Sequence, residues 1–394
     1  MGLNETHSSD RVHIGFFGRR NAGKSSIVNA VTGQNLSVVS DVLGTTTDPV
    51  YKAMELLPMG HVMIIDTPGI DDVGELGKLR IEKTEQVLNK IDVAVLVVDA
   101  SIGISKEDEE LISEFKNRKI KYIVAFNKSD IKTSKTSENE ILVSARTGEN
   151  INELKEKIAG LSKKDTNEKR IVGDLIKKGD FVLLITPIDE AAPKGRLILP
   201  QQQTIRDILD SDAYAIVVKE NGIKDAVKKF KPSLVVCDSQ VFDIADREVP
   251  QDVRLTSFSI LMARYKGNLL NAVWGAAELD KLCDNDSVLI SEGCTHHRQC
   301  NDIGTVKLPN LIKKYTKKEI NFEFTSGGDF PKDLSKYKMI VHCGGCMLNE
   351  NEMQYRYKTA NENNIPITNY GMAIAYMNGI IKRSVSVFSE LKEM

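Results

Sequence analysis

VHIGFFGRRNAGKSS, residues 12–26, is an apolar run that breaks into a glycine-bounded loop and then into helical sequence. An unbroken apolar run predicts a strand buried on both faces, as the central strands of parallel sheets are. Gly18-Arg19-Arg20-Asn21-Ala22-Gly23-Lys24-Ser25 fits G-x-x-x-x-G-K-[ST], and Lys24–Thr32 has helical period. Strand, loop and helix in that order make a phosphate site. The glycines let backbone N–H groups wrap phosphate oxygens, and the helix N-terminus adds its dipole. Lys24 reaches the β/γ-phosphates and the Ser25 hydroxyl ligates Mg²⁺, with Ser26 in the same binding set.

The rhythm continues outward. Val62–Asp66, Val93–Asp99 and Tyr122–Asn127 read as further buried strands, with helical period over Lys106–Lys116. The fold class is α/β, with a doubly wound sheet in the first block. Asp66-Thr67-Pro68-Gly69 ends a strand over the γ-phosphate; Asp66 suits a second Mg²⁺ contact, and Thr46 in Thr45-Thr46-Thr47 a third. Asn127-Lys128-Ser129-Asp130 reads guanine, because the Asp130 carboxylate accepts from N1–H and N2–H₂, a pattern adenine lacks. Ser144-Ala145-Arg146 supports the base from the last loop. Position 70 is Ile rather than the Gln that orients water in Ras-type enzymes, so intrinsic GTP hydrolysis is expected to be slow.

At 394 residues the chain needs more than one core. Leu161–Arg170 is charged and non-periodic, a boundary that closes a GTPase domain (1–165). A middle block (171–265) has strands at Phe181–Thr186, Ala213–Val218, Ser233–Val236 and Asp252–Ser257 and helices near Gln201–Leu209 and Ile223–Phe230. It carries no motif of known chemistry; Cys237 ends a strand as a small buried hydrophobe. A third block (266–394) has a helix over Leu269–Leu282 with Cys283 beside it in the core, and strands Ser287–Ser291 and Lys338–His342. These strands run into Cys294-Thr295-His296 and Cys343-Gly344-Gly345-Cys346. Thiolates and imidazoles in this pattern suit Zn²⁺ and an iron–sulfur cluster equally, with a redox thiol pair as a third reading. His296, His297 and His342 suit either a ligand or a supporting role, and Cys300 adds a nearby thiol.

The net charge of −2, with no long basic block, gives no electrostatic footprint for nucleic acid. The polar start has no signal-peptide core and no apolar run is long enough to span a bilayer, so a cytoplasmic protein without membrane contact is expected.

The loop at 18–26 and Gly44-Thr45-Thr46-Thr47-Asp48 resemble the TrmE–Era branch of small GTPases. In its potassium-dependent members an Asn at the position of Asn21 helps hold a K⁺ that acts like an arginine finger; Arg20 stands where Pro is common there. Taken with Ser40–Pro49, Cys294-Thr295-His296-His297 and His342–Cys346, the whole chain resembles the HydF family of FeFe-hydrogenase maturation GTPases. Asp66-Thr67-Pro68-Gly69 departs from the Asp-Thr-Ala-Gly expected there. The resemblance implies a 4Fe-4S cluster on Cys294, Cys343 and Cys346, with an exchangeable fourth position. His296, His297, Cys300, Asp302, water or another cofactor's atom are the candidates for it. It implies a dimerising middle block, and a homodimer or homotetramer. It further implies a scaffold or carrier for the diiron subcluster precursor, working with radical-SAM maturases and apo-FeFe-hydrogenase. The competing expectation is a TrmE/Era-like RNA-modification or ribosome-assembly GTPase with structural zinc.

Overall fold

Uninterrupted apolar runs become central strands. β1 (Val12–Phe17) is buried at five of six positions and β4 (Val93–Asp99) at all seven. The computed structural model describes residues 7–34, 48–69, 75–131, 137–162, 169–187, 197–294 and 302–391. Thr46, Ile70, His296, His297 and Cys300 lie outside the described residues. The chain divides into two units, residues 1–167 and 168–394. No helix among the described residues is long and apolar enough to cross a membrane.

The first unit adds β2 (Val50–Leu56), β3 (Gly60–Asp66), β5 (Lys121–Asn127) and β6 (Glu140–Leu142). Its six-stranded sheet has the order β2-β3-β1-β4-β5-β6. β2 is antiparallel to β3 and the rest are parallel. α1 (Lys24–Thr32) and α4 (Ile151–Ser162) cover one face, where Ile27, Val31, Leu154 and Ile158 pack on Ile14, Phe16 and Val95. α2 (Glu75–Leu88) and α3 (Lys106–Asn117) supply the other face, where Val87 and Phe115 pack on Phe17, Ile65 and Leu96. All parallel strands end on one side, so the loops after β1, β3, β5 and β6 converge there.

The second unit holds two parallel four-stranded sheets. β7 (Phe181–Ile185), β8 (Tyr214–Val218), β9 (Leu234–Cys237) and β10 (Arg254–Ser257) take the order β10-β9-β7-β8. β11 (Ser287–Ser291), β12 (Asn321–Thr325), β13 (Met339–His342) and β14 (Ile367–Asn369) take the order β12-β11-β13-β14. The first sheet carries α5 (Leu199–Asp210), α6 (Ile223–Phe230), α7 (Phe242–Glu248) and α8 (Phe258–Lys266). The second carries α9 (Leu269–Ala277), α10 (Leu308–Thr316), α11 (Glu350–Glu362) and α12 (Tyr370–Met377), while α13 (Ile381–Val385) packs back on β10 of the first. The core of the first sheet extends to later parts of the chain: Val182, Leu183 and Val236 share it with Met372 and Ala375 of α12 and with Phe388 and Leu391. Arg383 on α13 pins this return, donating to the carbonyls of Asp246, Val249 and Val253.

Two expectations change. The helix from Leu269 stops at Ala277 and tightens into a 3₁₀ turn at Glu278–Lys281. Cys283 comes just after that turn and is exposed, not core. Cys237 is fully buried, as its strand-end position predicts, and its Sγ reaches the Thr256 carbonyl.

Candidate functional site

The nucleotide loop is shaped by what surrounds it. Gly18 has φ +148°, and a Cβ there would sit 2.3 Å from the Val97 carbonyl oxygen. Gly23 has φ +86°, and a Cβ there would meet Asn127 Nδ2 at 2.1 Å. Both positions therefore exclude side chains, which keeps the loop's backbone close to β4 and β5. Asn21 adopts φ +61°, and its carbonyl accepts from Lys128 Nζ at 3.1 Å. Lys24 Nζ lies 2.6 Å from Asp66 Oδ1, and the Ser25 hydroxyl donates to Asp66 Oδ2 at 3.3 Å. One cation and two oxygens that Mg²⁺ accepts as ligands thus meet at the end of β3, which suits a Mg²⁺-phosphate group. Thr67 fixes that end by donating its hydroxyl to the Phe16 carbonyl at 2.7 Å.

The base-reading side is tied to the same loop. Asn127 is buried; its Nδ2 donates to the Ala22 carbonyl and its Oδ1 accepts from the Ala145 N–H, both at 3.1 Å. Asp130 Oδ1 accepts from the Ser144 hydroxyl at 2.7 Å, which sets the carboxylate's direction. Lys128 pairs with Asp99, a residue the motif reading did not single out. Burial pushes the Asp99 carboxyl up, but its bonds from Lys128 and Ser101 outweigh that and hold it below its ordinary range. Gly18, Asn21, Ala22, Gly23, Lys24, Ser25, Asp66, Asn127, Lys128, Asp130, Ser144 and Ala145 are therefore one connected constellation. Ser26 is exposed one residue beyond, and Gly69 closes the described part of its segment.

In the second unit, topology brings the two cysteine segments together. β11 and β13 are parallel neighbours with Ser291 opposite His342. Cys294 and Cys343 therefore leave adjacent strand ends. The Gly293 N–H donates to Cys343 Sγ at 3.0 Å and the Gly345 N–H at 3.4 Å. N–H groups aimed at a sulfur favour its thiolate form, the ligand form. Burial nevertheless raises the Cys343 thiol, and burial with the neighbouring Cys343 charge pushes Cys346 up to about 11. Among the described residues no three His, Cys, Asp or Glu side chains surround a common point, and Cys294 borders residues 295–301, which lie outside the described residues. Cys294, Cys343 and Cys346 are thiol donors of the type a metal centre uses, and the β11–β13 pairing brings the Cys294 and Cys343 segments to neighbouring strand ends.

His342, a candidate ligand by sequence, has both ring nitrogens engaged. Nδ1 donates to the Cys343 carbonyl at 2.7 Å, and Nε2 accepts from Arg356 Nη1 at 2.9 Å. Burial, reinforced by the Arg356 charge, lowers its pKa to about 3, so it stays neutral. Asp302 is also committed: its Oδ2 accepts from the N–H groups of Gly304 and Thr305, capping the turn Ile303–Lys307. Arg356 is fully buried and also donates to Ser291 Oγ at 3.2 Å and Glu352 Oε1 at 3.1 Å. It joins α11 to both strand ends, and nothing in its sequence surroundings signals that role. Arg356→Met should destabilise the second unit by about 3–5 kcal/mol, because it strands buried polar partners. Urea unfolding followed at the second unit tests this; a midpoint within error of wild type would contradict the network's importance.

Three family models match the chain. A 50S ribosome-binding GTPase model covers residues 13–128, a Hydrogen maturase F dimerization domain 171–267, and a Hydrogen maturase F tetramerization domain 270–387. The chain is 36% identical over 165 residues to GTPase Der of Wolinella succinogenes, covering 37% of this chain and 35% of that protein. It is 34% identical over 208 residues to the tRNA modification GTPase MnmE of Desulforamulus reducens, covering 52% and 44% respectively. The chain thus spans less than half the length of these curated relatives. Among solved structures it is similar to Era of Aquifex aeolicus bound to GDP and AlF₄⁻, with 21% identity and a TM-score of 0.35, over 55% of this chain and 97% of that one. The third block, singled out for its cysteines, also carries an assembly role that its residue pattern does not announce.

Proposed function

Since this chain belongs to the hydrogen maturase F family, we propose that it is a GTP-hydrolysing scaffold for FeFe-hydrogenase maturation. It holds a 4Fe-4S cluster on Cys294, Cys343 and Cys346, with His296 a candidate for the fourth position. There it receives the diiron precursor from radical-SAM maturases and passes it to apo-hydrogenase. The two maturase models together match more than half the chain and come after a GTPase domain in the family's order. Both are oligomerisation domains, so the working form is an oligomer. The observation that carries the cluster reading is the pairing of β11 with β13, which sets Gly293 N–H on Cys343 Sγ. Protein purified without air should be brown and contain about four iron and four sulfide per chain by the cluster's stoichiometry. A colourless protein that binds zinc would overturn this and restore the RNA-modification reading. That reading draws no support from the second unit, where both matching models are of the maturase family.

In the GTPase domain, Lys24 supplies positive charge to the β/γ-phosphates, and Ser25, Asp66 and Thr46 offer the oxygens that hold Mg²⁺. Held there, Mg²⁺ would supply positive charge to the phosphate oxygens. Gly69 is followed by Ile70, a side chain with no polar group to hold water, which supports slow turnover. Asn21 offers its side chain to K⁺, and the Lys128 bond to its carbonyl holds it in place. Hydrolysis should be faster in KCl than in matched NaCl, by less than the ~10³–10⁵ of an arginine finger. Asn21→Ala should abolish the difference while leaving GTP binding. Equal rates in both salts, measured by phosphate release, would remove K⁺ from the mechanism.

A further inference from the structure

We infer that Lys266, the last residue of α8, is a positioning residue for the Cys343–Cys346 loop, holding it to the dimerisation module and placing a fixed positive charge beside its thiolates. The inference rests on the cluster reading above.

α8 is buried along most of its length: Phe258, Ile260, Leu261, Met262, Ala263 and Lys266 are all inside. Burial is ordinary for the apolar residues and costly for an ammonium group. Lys266 is only 3% exposed, and its Nζ donates to the carbonyls of Cys346 and Leu348, each at 3.1 Å. Those carbonyls belong to the cysteine turn and the residues just after it. The helix end is fixed in turn: Gln354 Nε2 on α11 donates to the carbonyls of Lys266 and Gly267 at 3.2 and 3.0 Å. At the other end of α8, Ser259 Oγ accepts from the Gly371 N–H at 3.2 Å, and it lies 3.8 Å from where a Cβ on Gly344 would stand. One helix therefore lies against the loop from both of its ends.

That helix belongs to the segment matched by the dimerization model, whereas the loop belongs to the segment matched by the tetramerization model. The loop is thus anchored from outside its own module. A neutral donor would hold the carbonyls as well. An ammonium adds something a neutral donor does not: three thiolates on a cluster leave net negative charge, and a buried cation bonded to the Cys346 carbonyl stabilises it with little screening. Residues that orient ligands in this way typically govern metal affinity by 10–100-fold.

The test uses the whole 394-residue chain with Lys266→Met, which keeps the stem and loses amine and charge, and Lys266→Gln, which removes the charge but keeps an N–H donor on a stem one atom shorter. Hydrogen exchange of the metal-free protein reads the loop itself, over residues 343–349. Lys266→Met should exchange there about tenfold faster than wild type, the loss of a charge-assisted bond. Lys266→Gln should stay near wild type. After anaerobic reconstitution, both variants should show a more negative cluster midpoint potential than wild type, and Lys266→Met should lose iron to a chelator at 10–100-fold lower competitor concentration. Wild-type exchange in Lys266→Met overturns the anchoring, and unshifted potentials in both variants overturn the charge role. If wild type takes up no iron, the cluster reading has failed by itself, and loop exchange alone then decides the anchoring. If Lys266→Met is unfolded by circular dichroism and gel filtration, Lys266→Gln decides by its potential.

Discussion

Cys343→Ser should strip the protein of its iron while GTP hydrolysis continues at the wild-type rate. The expected loss is large because Cys343 is already prepared as a ligand. Two backbone N–H groups already point at its sulfur, and the carbonyl of the same residue is held by His342. Serine keeps the size but offers a hard oxygen that ionises far less readily than a thiol, and iron–sulfur clusters select thiolate. The nucleotide residues lie in residues 1–167 and the cysteines in 168–394, so the two readouts separate. Iron content should fall to background in Cys343→Ser, as it should in Cys294→Ser and Cys346→Ser. Cys300→Ser is the control: if it too removes all iron, four thiolates close the site and no exchangeable position exists. Retention of a full cluster in Cys343→Ser would overturn the assignment.

Asp130→Asn should lower affinity for GTP by at least ~10²-fold and make xanthosine triphosphate the preferred nucleotide. The Ser144 hydroxyl donates to one oxygen of Asp130, which leaves the group oriented as an acceptor. Asparagine turns one acceptor into a donor, facing the N1–H and N2–H₂ donors of guanine; xanthine presents a carbonyl where guanine has its amino group. Competition binding with GTP, ATP and xanthosine triphosphate checks this. Unchanged preference for GTP would mean that Asp130 does not read the base.

How far the sequence alone leads depends on the physical signal each element carries. β1, β4, β11, α1 and α6 fall where they are expected, since apolar runs and helical period mark buried strands and amphipathic helices directly. β2 gives no such signal. It is an edge strand, exposed at its first four positions, and among the described residues it pairs with β3 alone. β12 is likewise an edge, and β14 is three residues long. The phosphate loop and base reader are legible because their residues are contiguous and chemically specific. The support around the cysteines is not. Arg356 and Lys266 reach it from sequence positions 13 after and 77 before Cys343, and a Lys or Arg ordinarily reads as surface. His342 sits in the motif by sequence, yet only the fold reveals that its nitrogens are committed to Cys343 and Arg356.

The shared core of the second unit has a consequence for synthesis. The sheet β7–β10 is made before Met372, Ala375, Phe388 and Leu391, which cover part of it and follow β10 by more than a hundred residues. A nascent chain therefore holds a partly uncovered apolar sheet for the time taken to translate more than a hundred further codons. The GTPase unit faces no such delay, because its own core is complete by Ile158. Folding of this chain is thus staged: a nucleotide-binding unit forms first, and the oligomerising, cysteine-bearing unit closes only once its final helices arrive. Slowed elongation between residues 258 and 372, or loss of the last turn at Ser389–Leu391, exposes that sheet to chaperones and to aggregation before any cysteine can serve as a ligand.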